Sequence, residues 1–438
     1  MFYWGLRAAV GWLMRLFFRL EPVAGHASAL TLPGSVIFVA NHPNALVDPG
    51  LLFSLIERRV TFLAKAPLFS IPVLGAMLRA MGAMPVFRKQ DGASDMKGND
   101  ATLDAAVKTL VQGGALMLFP EGKSHSEPQL SALKTGCARI AFEAFLQGAQ
   151  VAVVPVGLTY AEKSRFRSGV HVEVGAPLRV ADAAPEPNED SGPKVRAFTQ
   201  SIADALRGVT LNLESWEDLP LLKTAEALYA LKAGEAHGDP VRLRAFSKGM
   251  ALLRQEQPAK FALLKSETLG YLRALNLLEA APGEVAARAG AVDVARFIAR
   301  NLAALLFGFP LFALGMVVFF IPYLLPGWVA RAVKADHDSE STYKVLTAFV
   351  LSPAWLSMLT AVGYAVNDVS GAVVAGSATL PLALFTRYFY ERRREAVADA
   401  LTFFRLRSRA KLREQVRADG EALAAQIEAI AVEIGPRV

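Results

Sequence analysis

The stretch VIFVANHPNALVDP, residues 36–49, decides the reading of this sequence. Val36–Ala40 is a short continuous apolar run, the pattern of a buried strand. His42 and Asp48 follow it, six positions apart. On one continuous helix that separation is about 600°, which would point the two side chains away from each other. Pro43 and Pro49 each bias the preceding residue away from helix. Asp48-Pro49 then reads as an N-cap followed by proline at the first helical position. The expectation is a strand, a turning loop that carries His42, and a helix with Asp48 at its mouth. Such a turn brings an imidazole to a carboxylate. A neutral His42 held in one tautomer by Asp48 would be a general base. A loop histidine beside a plain helix cap is the alternative reading of the same pair.

Outward from this stretch, similar runs recur: VTFLA (60–64), AMPVF (83–87), ALMLF (115–119), VAVVPVG (151–157) and VHVEV (170–174). Between them, Leu103, Val107, Leu110 and Val111 mark one helical face, stopped by Gly113. Leu133, Cys137, Ile140 and Ala144 mark another, closed by Gly148. Strand–helix alternation predicts an α/β domain with a mostly parallel sheet flanked by helices. Ligands of such sheets gather at the carboxyl ends of the strands. His42 and the FPEG at 119–122 both directly follow a strand.

The chain has 438 residues, so two or three domains are expected. It is 53% hydrophobic and 20% charged, with mean hydropathy +0.32, a composition that points to membrane contact. The net charge of +7 would suit nucleic acid or anionic lipid, and the apolar segments favour lipid. A single cysteine, Cys137, excludes a disulfide framework. Residues 1–30 are read as an amphipathic interfacial helix and its exit, with Arg7, Arg15 and Arg19 interrupting an apolar run that includes Trp4, Trp12, Leu16 and Phe17. Residues 31–182 form the α/β domain and end at the proline-rich break AAPEPNEDSGPK. Residues 183–296 are helical. Residues 297–390 hold membrane segments: one from Asn301 that is either a span or a re-entrant element turning at Gly308-Phe309-Pro310, then two spans, 345–366 and 370–386, joined by NDVSG. Residues 391–438 are a basic amphipathic tail suited to anionic headgroups. Positive flanks on all these segments predict an integral protein of the cell membrane with its α/β domain on the cytoplasmic side.

Four clusters carry the possible chemistry: NHPNALVDP, GAMPVFR with Arg88, LFPEGKSHSE with Glu121, Gly122 and His125, and VVPVGLTY with Pro155. Singly, Arg88 would pair with Asp91 and Glu121 with Lys123. In order, the clusters resemble the glycerolipid acyltransferase superfamily. The Asp-Pro, the Ser-His after FPEG, the LKTG at 133–136 and the KSRFRSG at 163–169 are similar to its fungal-type glycerol-3-phosphate and dihydroxyacetone-phosphate acyltransferase branch. The superfamily's first motif is His-x4-Asp, and here the spacing is one residue longer.

The resemblance implies transfer of a fatty acyl group from acyl-CoA or acyl carrier protein to the hydroxyl of glycerol 3-phosphate, with no cofactor and no metal. A lysophospholipid acceptor is the alternative. It implies that His42 takes the hydroxyl proton and that Asp48 orients the imidazole. Arg88, Glu121 and Gly122 would hold the acceptor, and Pro155 falls on the acyl-donor side. Lys134 and Arg167 would contact phosphates, with Asn41 and His125 as further candidates. Membrane lipids are the expected partners, not nucleic acid. Three rival readings fit parts of the sequence. EGKS mimics a phosphate-binding loop, but the required first glycine is Met117. A metal hydrolase built on His42, Asp48, Glu121 and His125 lacks a paired-histidine spacing. A non-catalytic lipid-binding protein would have no need of the His–Asp pair.

Overall fold

The structure, a computed structural model, describes residues 2–87, 97–186, 190–287, 291–336 and 339–435. The chain divides into two compact units, Met1–Asn212 with Ala330–Val345, and Leu213–Val329 with Leu346–Val438.

The first unit is the α/β body. Its elements in chain order are α1 (Phe2–Phe17), β1 (Arg19–Leu20), β2 (Ala24–Gly25), β3 (Ser35–Ala40), α2 (Val47–Leu55), β4 (Val60–Lys65), α3 (Pro72–Ala80), β5 (Met84–Val86), α4 (Lys97–Val111), β6 (Ala115–Leu118), α5 (Gly136–Leu146), β7 (Val151–Tyr160), β8 (Gly169–Val174), β9 (Leu178–Arg179) and α6 (Ser191–Val209). The strands form one sheet in the order β1-β8-β7-β3-β6-β4-β5, with β2 also on β8 and β9 on β7. β3 is parallel to both β6 and β7, while β8 and β9 run antiparallel to β7. Every side chain of β3 is buried, as its unbroken apolar run requires. One face of the sheet is covered by α1 and α2, through Val10, Leu13, Met14, Leu51, Leu52 and Phe53. The other is covered by α4, α5 and α6, through Val107, Leu110, Ile140, Phe142, Phe198 and Ile202.

Several expectations change here. The α/β body does not end at residue 182: α6 packs on the sheet through Phe198, Ile202 and Leu206. Gly157 permits its close approach, since a Cβ there would sit 1.8 Å from the carbonyl oxygen of Val209. Val111 is exposed and lies off the buried face of α4. α1 is amphipathic, but Phe17 is spent on the body's own core, leaving Phe2, Trp4 and Trp12 exposed.

The second unit is helical: α7 (Asp218–Ala233), α8 (Pro240–Glu256), α9 (Pro258–Leu278), α10 (Pro282–Ala286), α11 (Ala291–Val318), most of α12 (Phe320–Ala332), most of α13 (Glu340–Ser408) and α14 (Ala410–Ile434). α13 breaks at Asn367 and Asp368, whose backbones are non-helical, so the NDVSG expectation holds as a hairpin. Beyond the break the arms lie against each other: a Cβ on Gly363 would meet the Gly371 carbonyl at 2.4 Å. α11 packs antiparallel on the second arm, with Gly308 against Phe389 and Gly315 against Thr386. Small residues let apolar helices approach in this way. α11 runs unbroken through Gly308-Phe309-Pro310, so no re-entrant turn forms there, and the interruption falls at Phe319. Val294–Val318 and α13 are long and apolar enough to cross a membrane, and apolar side chains such as Phe307 and Val317 are 80% and 78% exposed. The C-terminal tail is not free for headgroups along its apolar side. Val416, Leu423 and Ile427 of α14 join Leu228, Tyr271 and Leu275 in a core. Arg409 and Arg413 donate to the carbonyls of Leu277, Val285 and Ala287.

Candidate active site

Because β3, β6 and β7 are parallel neighbours, their carboxyl ends meet along one edge of the sheet. His42 leaves β3 there and Phe119–Gly122 leaves β6. The Asn41 side chain extends the β3–β7 ladder past its last residue. Its amide donates to the Leu158 carbonyl at 3.0 Å and accepts the Leu158 N–H at 2.8 Å. Asn41 is thus a clamp that fixes where His42 starts.

The loop does turn. The left-handed backbone of Ala45, φ 30°, lets the chain double back within the six-residue interval. His42 Nδ1 reaches Asp48 Oδ2 at 2.9 Å. Asp48 is not the N-cap expected from Asp-Pro: α2 begins at Val47 and Asp48 sits in its first turn, fully buried. Its side chain is taken by other donors. Oδ2 also accepts the Asn44 N–H at 2.7 Å, and Oδ1 accepts the Tyr160 hydroxyl at 2.6 Å. A carboxylate can only accept, so His42 Nδ1 carries the proton and Nε2 keeps a lone pair. Nε2 has no hydrogen-bond partner among the described residues. The ring is stacked on Phe119, with centroids 4.0 Å apart and planes 19° apart.

Glu121 is buried and faces inward, not toward Lys123. Oε1 accepts the His42 N–H at 2.9 Å, Oε2 accepts the Ser131 N–H at 2.8 Å, and His125 Nε2 also bonds Oε2. It ties the loop after β6 to itself and to the His42 loop. His125 lines the cleft, yet both ring nitrogens are occupied: Nδ1 accepts the Glu127 N–H at 3.2 Å, so Nε2 donates to Glu121. Gly122 adopts φ 75°, as the turn requires, but its N–H closes that turn onto the Phe119 carbonyl and is not offered to a substrate. The exposed Lys134 lays its stem over Gly122, at 3.5 Å from a Cβ placed there.

Two candidates move away from the chemistry. Pro155 is buried in β7 opposite Val39 and does not line the cleft. Its missing N–H faces the gap between β8 and β9, where no strand needs it, which is how a proline sits in a central strand. Arg167 donates to the carbonyls of Arg15 and Phe18 at 2.7 and 3.1 Å, closing the carboxyl end of α1. Arg88 lies outside the described residues.

Other residues enter unannounced by the sequence. Lys163 donates to the Pro43 carbonyl at 2.8 Å and to Ser126 Oγ at 2.6 Å, joining the histidine loop to the loop after β6. The Leu46 N–H donates to Thr342 Oγ1 at 3.1 Å, and Ser341 donates to the Lys163 carbonyl. The start of α13 therefore braces the His42 loop. A small cleft of about 50 Å³ opens beside His42, lined also by Glu127, Gln129, Leu130, Thr210 and Leu211. Among the described residues no cluster of three or more His, Cys, Asp or Glu is arranged to hold a metal ion.

The Acyltransferase family model matches residues 26–159. Over 134 residues, 30% of this chain and 18% of the relative, the chain is 34% identical to glycerol-3-phosphate O-acyltransferase 2 of Saccharomyces cerevisiae. To glycerol-3-phosphate O-acyltransferase 1 of the same yeast it is 27% identical over 274 residues, 58% of this chain and 34% of the relative. The chain thus spans about a third or less of either yeast enzyme. To the 1-acyl-sn-glycerol-3-phosphate acyltransferase of Bacillus subtilis it is 26% identical over 159 residues, 36% of this chain and 71% of the relative. The crystal structure of a 1-acyl-sn-glycerophosphate acyltransferase from Thermotoga maritima aligns with 22% identity and TM-score 0.35, covering 47% of this chain and 78% of that one. The matched segment, residues 26–159, contains His42, Asp48 and Glu121, so the candidate site lies inside the region similar to acyltransferases.

Proposed function

We propose that this chain is a membrane-bound O-acyltransferase that moves a fatty acyl group from a thioester, acyl-CoA or acyl carrier protein, to the hydroxyl of glycerol 3-phosphate. One observation carries the reading. A histidine is locked by a buried aspartate with its second nitrogen free, beside a cleft at the carboxyl edge of a parallel sheet. His42 Nε2 accepts the proton of the acceptor hydroxyl as that oxygen attacks the thioester carbonyl. The tetrahedral intermediate collapses, the C–S bond breaks, and the imidazolium returns the proton to the departing thiolate. Asp48 stabilises the positive charge that exists between those two transfers. General base catalysis of this kind is worth about 10²–10⁴-fold. Phe119 and Asn41 hold the ring and its loop, and the exposed Lys134 beside Gly122 is the proposed phosphate contact.

The apolar helices fit this chemistry. A long acyl chain gains about 0.8 kcal/mol per buried CH₂ in lipid, so a site held at a bilayer need not draw its substrate into water. The exposed faces of α11 and α13 support membrane insertion, and the positive flanks support a cytoplasmic α/β body. The Bacillus relative, matched over most of its length, supports 1-acyl-glycerol 3-phosphate as the second acceptor to consider. The test is an acceptor panel with the purified full-length chain in vesicles and labelled acyl-CoA. Glycerol 3-phosphate should give the highest kcat/KM. Preference for lysophosphatidate would move the assignment to the second acceptor, and esterification of neither would remove it.

A further inference from the structure

Asp48 is held by more than its histidine requires, and the extra partner comes from a distant strand. Tyr160 ends β7, which runs parallel to β3 and continues four residues beyond Val156, the partner of Ala40. That overhang carries the phenol to Asp48 Oδ1, 2.6 Å away, while His42 occupies Oδ2. The ring is fixed by an edge contact with Phe18, at 5.5 Å between centroids.

We infer that Tyr160 is a positioning residue that sets how strongly Asp48 backs His42 as a base. This rests on the His42–Asp48 reading proposed above. A donor on Oδ1 draws charge away from Oδ2 and so weakens the hold of the carboxylate on an imidazolium. The base then returns its proton more readily to the leaving thiolate. Burial pushes the Tyr160 phenol well above its ordinary range, and the neighbouring Asp48 charge adds to this, so the phenol stays a donor.

The charged groups around the array are accounted for. Glu121 accepts the His42 N–H and is shared with His125 and Ser131. Glu127 lines the cleft, and Lys163 is bonded to Pro43 O and Ser126. Glu340 and Lys344 pair with each other at the start of α13. His171, bonded to Glu21 and Glu173, stands opposite Thr159 and so on the other face of β7 from Tyr160.

The test is the pH profile of kcat/KM for the full-length chain in vesicles, with acyl-CoA and glycerol 3-phosphate. Tyr160→Phe removes the donor. Its acid limb should move to higher pH by about half a unit to one unit, with acceptor KM within about twofold of wild type. Site-specific 3-fluorotyrosine at 160 makes the phenol a stronger donor and should move the limb to lower pH. Shifts of opposite sign support the inference, because a packing role would not reverse with donor strength. Limbs that coincide with wild type in both proteins overturn it. Should Tyr160→Phe fail to fold, as judged by thermal unfolding, the fluorotyrosine protein decides alone. His42→Ala is measured alongside: full activity in that variant would overturn the base itself, a failure distinct from an unmoved limb.

Discussion

Replacing Asp48 with asparagine isolates charge from geometry at this site. The carboxylate is fully buried, with Oδ2 shared by His42 Nδ1 and the Asn44 N–H and Oδ1 facing the Tyr160 hydroxyl. An amide fits with its oxygen at the Oδ2 position, where both donors need an acceptor, and its NH₂ toward the phenol oxygen, which can accept. The His42 tautomer survives, and only the negative charge is lost. For unit charges about 4 Å apart at an effective dielectric near 20, that charge is worth about 4 kcal/mol to the imidazolium. At 1.36 kcal/mol per tenfold, kcat should fall by about 10³-fold. Acceptor KM should change little, because Asp48 does not line the cleft. The assay is transfer of labelled acyl groups to glycerol 3-phosphate by wild type and Asp48→Asn at matched protein content. A variant within threefold of wild type would refute the electrostatic account of the pair.

Other consequences are equally concrete. Glu121→Ala strips the acceptor from the His42 N–H, the Ser131 N–H and His125, so stability should fall by about 3 kcal/mol or more, and an unchanged urea midpoint would contradict the loop-tying role. Gly157→Ala drives a methyl into the Val209 carbonyl and should cost about 1–3 kcal/mol. Gly208→Ala, on the same helix α6 with nothing near its Cβ, should instead stabilise by about 0.5–1 kcal/mol; equal effects in thermal unfolding would contradict this packing. Burial pushes the Cys137 thiol up to about 12, so native protein at neutral pH should resist maleimide labelling and keep its activity, and rapid labelling seen by mass spectrometry would place the thiol elsewhere.

What the sequence made legible follows from where its physics is local. The short apolar runs were legible as strands for two reasons: β3 and β6 are buried along their whole length, and β8 alternates its valines with His171 and Glu173. The His42–Asp48 contact was legible because Pro43 and Pro49 bias against one straight helix across it, although the turn itself falls at Ala45 and Asp48 is already helical. The role of Tyr160 was not, since it lies 112 residues from Asp48 and meets it only through the β3–β7 register. Asn41 and Pro155 share that register, and one became a clamp and the other a buried strand residue. Nothing local to Glu121 announces the two backbone N–H groups it serves, those of His42 and Ser131. Thr342 and Thr210 reach the site from segments that composition assigns to other regions. The basic tail suits anionic headgroups in sequence alone, because an apolar stripe cannot say whether protein or membrane covers it; here Val416, Leu423 and Ile427 are covered by protein.

His42 acting as the base of a direct transfer from thioester to hydroxyl is open to one decisive measurement. The measurement is one rapid-mixing experiment on the full-length chain in vesicles, counting labelled ester formed and thiol released, for wild type and His42→Ala. Wild type should yield one ester per thiol with no label retained on protein, and His42→Ala should stay at background. Product from His42→Ala at the wild-type rate, or label trapped on the chain, would contradict the account.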